Sequence, residues 1–243
     1  MHTPMVSQLA LDLETRPSLT RDDFIVSAEN QSAVYFIDEW PNWQQNHRAH
    51  GLVLWGERGC GKSHLAHLWQ EKSGALSVHN LDLNITDKDN LVQQFQGFHL
   101  WVDHADLWIG DLETETFLFH LYNQSQQTGH NIVLTMRSNP MNLGFLLPDL
   151  GSRLRGLPAF YIQPPSDELL QAILMKLMND RQLMVNPEMI HYLLPRMDRS
   201  FAAAQSLVKA IDEYSLAHHR KITIPLLRDV LYNAYKDESP FTG

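Results

Sequence analysis

Through its first two thirds the chain alternates short apolar runs with stretches of helical periodicity. The runs are "GLVLW" (Gly51–Trp55), "ALSVHNL" (Ala75–Leu81), "FHLWVD" (Phe98–Asp103), "NIVLTM" (Asn131–Met136) and "AFYIQ" (Ala159–Gln163). Short apolar runs of this kind predict strands, and near-continuous ones predict strands buried on both faces. Between the first two runs a helix is expected from about Lys62. Between the third and fourth, Phe117, Leu118, Leu121 and Tyr122 share one side of a second helix, with Gly129 as its stop. Strand and helix in repetition imply right-handed crossovers and a five-stranded parallel sheet flanked by helices, an α/β architecture.

"QPPSDE" (Gln163–Glu168) ends that rhythm. Its two prolines can neither continue a strand nor enter a helix interior, so a hinge is placed there. All that follows reads as helix. Ser166 is a candidate N-cap, with Asp167 and Glu168 in the first turn, where the helix dipole favours acids. Asn186 and Pro187 form a cap and first-position pair for a second helix. Phe201, Ala204, Val208, Ile211 and Ser215 give a third its buried side, and Thr223 and Pro225 open a last one. The expected organisation is a tail over 1–21, an α/β domain over 22–163, a small all-α lid domain of about four helices over 164–238, and a short tail over 239–243. No internal repeat or low-complexity segment interrupts it.

Composition narrows the function classes. The 243 residues carry a formal net charge of −9. That argues against broad nonspecific nucleic-acid binding, which is driven by phosphate neutralisation. No run of eighteen apolar residues spans a membrane, and the first residues lack a basic, then apolar, leader. The single cysteine, Cys60, excludes an internal disulfide and fits a reducing cytoplasm.

The chemistry concentrates in "GERGCGKS" (Gly56–Ser63), which fits the phosphate-loop pattern G-x-x-x-x-G-K-[ST] and has a strand before it and a helix after it. Glycines Gly56, Gly59 and Gly61 let backbone N–H groups turn inward on phosphates. Lys62 supplies a cation for the β and γ phosphates, and the Ser63 hydroxyl is a ligand for Mg²⁺. Helix partial charge adds to both. Asp103, at the end of the third strand, is placed to hold the same Mg²⁺ through water. The next position, where ATP-hydrolysing enzymes of this scheme carry a second acid, is His104; Asp106 lies beyond it. Weak intrinsic hydrolysis is the expectation. Cys60 reads as a small filler inside the loop rather than a redox switch. His64 and His67 have a metal-compatible spacing but no third ligand nearby. The cluster His218-His219-Arg220-Lys221 suits a helix C-terminus, and Trp40 and Trp43 are expected to cap the sheet.

A phosphate loop, five parallel strands and a helical lid together resemble an AAA+ P-loop module. "DDFIVSAENQSA" (Asp22–Ala33) resembles the adenine-pocket segment of the replication initiator DnaA, which implies base contacts from Phe24 and Val26. "FHLYN" and "NIVLTMRSNP" resemble that family's helix and sensor 1 strand, with Thr135, Arg137 and Ser138 as candidates. "LPDLGSRLRGLP" (Leu147–Pro158) resembles its arginine-finger box, with Arg153 at the finger position and Arg155 as the alternative. A DnaA-like module without the initiator's DNA-binding domain resembles the Hda ("homologous to DnaA") regulators. Those begin with a hexapeptide that binds the replication sliding clamp, here Gln8-Leu9-Ala10-Leu11-Asp12-Leu13.

The resemblance implies ADP or ATP held by Gly56, Gly59, Cys60, Gly61, Lys62, Ser63 and His64, with Mg²⁺ on Ser63 and Asp103. It implies docking on the clamp through Gln8, Leu9, Leu11 and Leu13, hydrolysis of DnaA-bound ATP promoted by Arg153 in trans, and contact with DNA only through the clamp; self-association is left open. Burying three leucines is worth roughly 5–9 kcal/mol gross, against about 2–5 kcal/mol for ordering a free segment. The remainder fits a reversible tether of micromolar affinity or weaker. The chain departs from the pattern at sensor 2, where Ala202 stands in place of arginine and Arg199 lies nearly a turn earlier. ADP as a resident ligand with slow turnover is therefore expected. The rival readings are an autonomous AAA+ ATPase such as a helicase-loader-like protein, and a small P-loop kinase.

Overall fold

The computed structural model describes residues 24–78, 92–218 and 221–236. The leucine-bearing tail with Gln8, Leu9, Leu11 and Leu13, and the C-terminal tail, lie outside the described residues. Two helices, α1 (Gln31–Asp38) and α2 (Trp43–His47), precede the sheet. Strand β1 (Gly51–Trp55) leads through the phosphate loop into α3 (Lys62–Ser73), then β2 (Leu76–Ser77) and β3 (Leu100–Val102). Helix α4 (Leu112–Gln127), β4 (Ile132–Met136), α5 (Pro148–Arg155) and β5 (Ala159–Tyr161) complete the α/β domain. All pairings are parallel. The strand order is β2-β3-β4-β1-β5, so the phosphate loop leaves a strand with partners on both sides, β4 and β5.

Pleating sorts the strand residues into two cores. Val53, Leu100, Val102, Ile132, Leu134 and Met136 face α4 and α5. Leu52, Leu54, Trp101 and Val133 face α1 and α3, where Trp43 stacks on Trp69 with ring centroids 5.6 Å apart. Strand β1 matches its run, β3, β4 and β5 are shorter than the runs that predicted them, and the run that predicted β2 passes outside the described residues after Val78. In the third run, Asp103 leaves the ladder to point its carboxylate at the phosphate loop. The helices before β1 were not separated in the sequence reading, although Ala33, Val34, Phe36 and Ile37 bury one helical face of α1.

The lid holds α6 (Asp167–Asp180), α7 (Pro187–Leu193), α8 (Phe201–His218) and α9 (Ile224–Lys236). Both expected caps form. Ser166 Oγ accepts from Leu169 N–H at 3.2 Å, and Asn186 Oδ1 from Met189 N–H at 3.0 Å. Leu170, Leu174, Leu193, Ala204, Val208 and Leu227 make a third core separate from the other two. Among the described residues no helix is long and apolar enough to cross a membrane.

Below β3 and β4 sits a polar joint. Asn131 N–H donates to His99 Nδ1 at 2.9 Å, and the Asn131 side chain accepts from Trp40 Nε1 and donates to His50 carbonyl. His99 packs edge-on against Trp40 and lies 5.0 Å from the His130 ring. Burial, and secondarily the charge of His130, holds its pKa below the ordinary 6.5. The unfolded chain therefore binds a proton before the native one does. The His99 contribution is complete above about pH 6.5 and is lost as pH falls through the lowered native value. His99→Asn keeps an acceptor for Asn131 N–H but does not titrate. Denaturation midpoints followed from pH 7.5 to 5 should fall less steeply in this variant than in the parent chain.

Candidate functional site

The phosphate loop is shaped by its glycines. Gly56 follows β1 with φ +151°, and a Cβ there would lie 2.3 Å from the Ile162 carbonyl oxygen. Gly59 has φ +79°, and its Cβ would lie 2.3 Å from Ser200 Cβ. The second contact brings the lid directly onto the loop. Phe201 N–H, at the start of α8, donates to the Gly59 carbonyl at 3.1 Å.

Lys62 is 4% exposed. Its ammonium donates to the carbonyls of Gly56 at 2.8 Å and Glu57 at 2.6 Å, with Cys60 Sγ 3.6 Å away. The lysine is thus folded against its own loop, in reach of any anion that enters. Cys60 fills space inside the loop, 3.1 Å from where a Gly56 Cβ would stand.

Asp103 is the hub beside it. Ser63 Oγ donates to Asp103 Oδ1 at 3.0 Å, and the fully buried Thr135 hydroxyl donates to the same oxygen. Thr135 Oγ1 in turn accepts from His104 N–H at 2.9 Å. Thr135 therefore fixes the acid rather than facing the cavity. His104 adopts a left-handed backbone, φ 52° and ψ 44°. That turns its ring back, so that Nε2 lies 3.7 Å from Asp103 Oδ2.

Next to this hub opens a cavity of about 660 Å³ whose cationic walls are Arg58, Lys62 and Arg137. Ser63, His104 and Ala202 also line it. Three cations gathered where the loop opens into α3 make a site for polyanions such as a phosphate chain. Of the three sensor 1 candidates, Arg137 lines the cavity, Thr135 holds Asp103, and Ser138 is not among the lining residues; neither is Asp106. Arg199 is paired with Asp167 at 2.9 Å within the lid, while Ala202 occupies the cavity wall. Arg58 was missed in the sequence reading because it occupies a freely variable position of the phosphate-loop pattern.

The remaining expected contacts separate. Phe24 lies edge-on to His64 with centroids 5.1 Å apart, and the Phe201 ring is tilted against His64, also at 5.1 Å. Leading segment, α3 and lid thus meet at His64. Val26 instead lines a different cavity, of about 930 Å³, between α1 and β5. The finger candidates also separate. The Arg155 guanidinium donates to the Leu143 carbonyl at 2.9 Å and lies 4.9 Å over the Phe145 ring. Arg153 is exposed and makes no hydrogen bond or ion pair among the described residues. Metal-holding groups of three or more His, Cys, Asp or Glu are absent among the described residues.

The Gly59 contact gives a test. In Gly59→Ala the strained φ and the overlap with Ser200 should push α8 off the loop. Titration with a fluorescent adenine nucleotide should show affinity at least about tenfold weaker, a change of roughly 1.4 kcal/mol.

The comparisons with known proteins follow this division. Residues 167–231 match the family described as "Hda, lid domain". The whole fold is similar to domain III of the replication initiation protein DnaA from Thermotoga maritima. The TM-score is 0.75 at 19% identity, over 89% of this chain and 97% of that one. AMPPCP-bound DnaA from Aquifex aeolicus aligns with TM-score 0.67 at 19% identity, over 91% of this chain and 70% of that one. The Thermotoga maritima RuvB Holliday junction branch migration motor aligns at 0.66 and 14%, over 88% and 71%. The match to the Hda lid covers the second domain alone; for the α/β domain the comparisons show the fold of DnaA domain III.

Proposed function

We propose that the chain is a nucleotide-bound regulator of replication initiation, which docks on the DNA polymerase sliding clamp and promotes hydrolysis of the ATP held by DnaA. The observation that carries this reading is the exposed Arg153 on α5, beside an Arg155 that is already tied down. An exposed guanidinium with no hydrogen bond or salt bridge among the described residues is suited to reach a neighbour's γ-phosphate and stabilise charge in the transition state.

The protein's own site fits an adenine nucleotide as a resident ligand, ADP above all. Lys62, Arg58 and Arg137 would hold the phosphates, and Phe24 with His64 would border the nucleoside. A Mg²⁺ ion would be held by Ser63 Oγ and, through water, by Asp103. Bound there, the ion would neutralise phosphate charge. Ala202 offers no cation from the lid, Arg199 is spent on Asp167, and His104 replaces the usual second acid. All three favour holding nucleotide over turning it over. Docking on the clamp belongs to Gln8, Leu9, Leu11 and Leu13, and DNA would be reached only through the clamp, in the cytoplasm.

The complete set Lys62, Ser63 and Asp103 also supports the second reading, an autonomous AAA+ ATPase of the helicase-loader kind. ATP hydrolysis by the purified chain separates the two: brisk turnover abolished by Lys62→Ala favours the loader. For the regulator, Arg153→Ala should reduce stimulation of DnaA–ATP hydrolysis on loaded clamp by about 10³-fold, within the range known for arginine fingers. Unchanged stimulation would reject the finger. Removing the first fifteen residues should abolish retention on immobilised clamp while nucleotide affinity stays the same.

A further inference from the structure

Glu115 is fully buried and no part of the sequence reading accounts for it. It lies in the first turn of α4, where the helix dipole favours a carboxylate. Its Oε1 accepts from Gly110 N–H at 2.8 Å and Leu146 N–H at 3.0 Å, and its Oε2 from Leu147 N–H at 2.6 Å. Burying a carboxylate is costly unless its oxygens are satisfied, and here three backbone donors from two separate loops satisfy them.

Those donors lie at informative places. Leu147 is the residue immediately before α5, and it has no side-chain cap of its own. Helix α5 is eight residues long, with Pro148 at its start. Two turns have little intrinsic stability, so the direction of the helix is set by what grips its ends. Glu115 grips the entrance. At the exit, Arg155 reaches back to the Leu143 carbonyl. Between the two anchors Leu150 and Leu154 are fully buried, and Arg153 projects on the exposed side. Gly110 lies two residues past the short 3₁₀ turn Ala105–Trp108 that follows Asp103 and His104. One carboxylate therefore joins the loop leaving the nucleotide site to the helix that carries the finger.

We propose that Glu115 is the positioning residue of the arginine finger: its carboxylate fixes the entrance of α5 and so the place of Arg153 against a partner's nucleotide. This rests on the trans-acting role of Arg153 given above. A displacement of about 1 Å in a reacting constellation costs on the order of 10²-fold in rate, so loss of the grip acts on rate more than on partner binding.

The test uses the full chain on loaded clamp with ATP-bound DnaA. Glu115→Gln matches the native volume but sets an amide N–H₂ against at least one backbone N–H. Glu115→Ala removes every acceptor. Amide hydrogen exchange at Leu146 and Leu147 should quicken in the order Ala, Gln, wild type. Maximal stimulation should fall in the same order, by at least about tenfold for Gln, while the half-saturating concentration stays within about twofold. The exchange of the Gln variant decides the matter if Ala does not fold. Wild-type exchange at these amides in Glu115→Gln, or faster exchange with full stimulation, overturns the proposal. Arg153→Ala run in parallel separates the two ideas. Stimulation lost in Arg153→Ala but kept in Glu115→Gln removes the positioning role and leaves the finger. Stimulation kept in both removes the finger reading itself.

Discussion

Asp103 is the residue on which the site's geometry hangs. One carboxylate oxygen takes the hydroxyl hydrogens of Ser63 and Thr135, so the end of β3, the start of α3 and the middle of β4 are fastened to a single atom. Without that knot the acid would be one more polar group at a strand end. With it, the acid is held beside the loop that carries Lys62, and the next residue is forced into a left-handed turn. The Thr135 hydroxyl is engaged by Asp103 and His104, which leaves Arg137, the residue just past β4, lining the cavity.

The second ordering principle is that the cations divide into spent and unspent. Arg199 is paired with Asp167, Arg155 with the Leu143 carbonyl, and Lys62 with its own loop. An ammonium on neutral carbonyls exchanges them readily for a phosphate, because the anion offers the stronger, charge-assisted bond. An arginine in an exposed pair has less to gain, and Arg199 also sits outside the cavity. The proposed function draws on this division: a nucleotide held by the unspent cations and not turned over.

Much of this was legible from residues. The alternation of apolar runs placed all five strands, because both faces of a parallel sheet are buried and the runs are correspondingly continuous. The prolines at 164 and 165 marked the passage to the lid, and Ser166 and Asn186 cap the helices they were expected to cap. What escaped was whatever depends on packing at long range. Glu115 looks like an ordinary acid in a helix's first turn; that it meets residues 146 and 147 follows only from the docking of α5 on α4. Val26, grouped with Phe24 by the resemblance of one segment, lines the cavity beside α1 while Phe24 meets His64; two residues apart, they would share a face in a regular strand, so the segment between them does not keep that register. Arg58 sits where the loop pattern tolerates any residue.

The meeting of Gly59 with Ser200 and Phe201 has a mechanical consequence. Among the described residues the start of α8 meets the phosphate loop through the Phe201–Gly59 backbone hydrogen bond and the close approach of Ser200 to Gly59, flanked by the rings of Phe24, His64 and Phe201 and by Ile25 on the lid core. Such a bond contributes only about 0.5–1.5 kcal/mol net. The lid is therefore a latch and not a wall. In the proposed function it is seated on the peptide unit that a bound phosphate chain would stiffen.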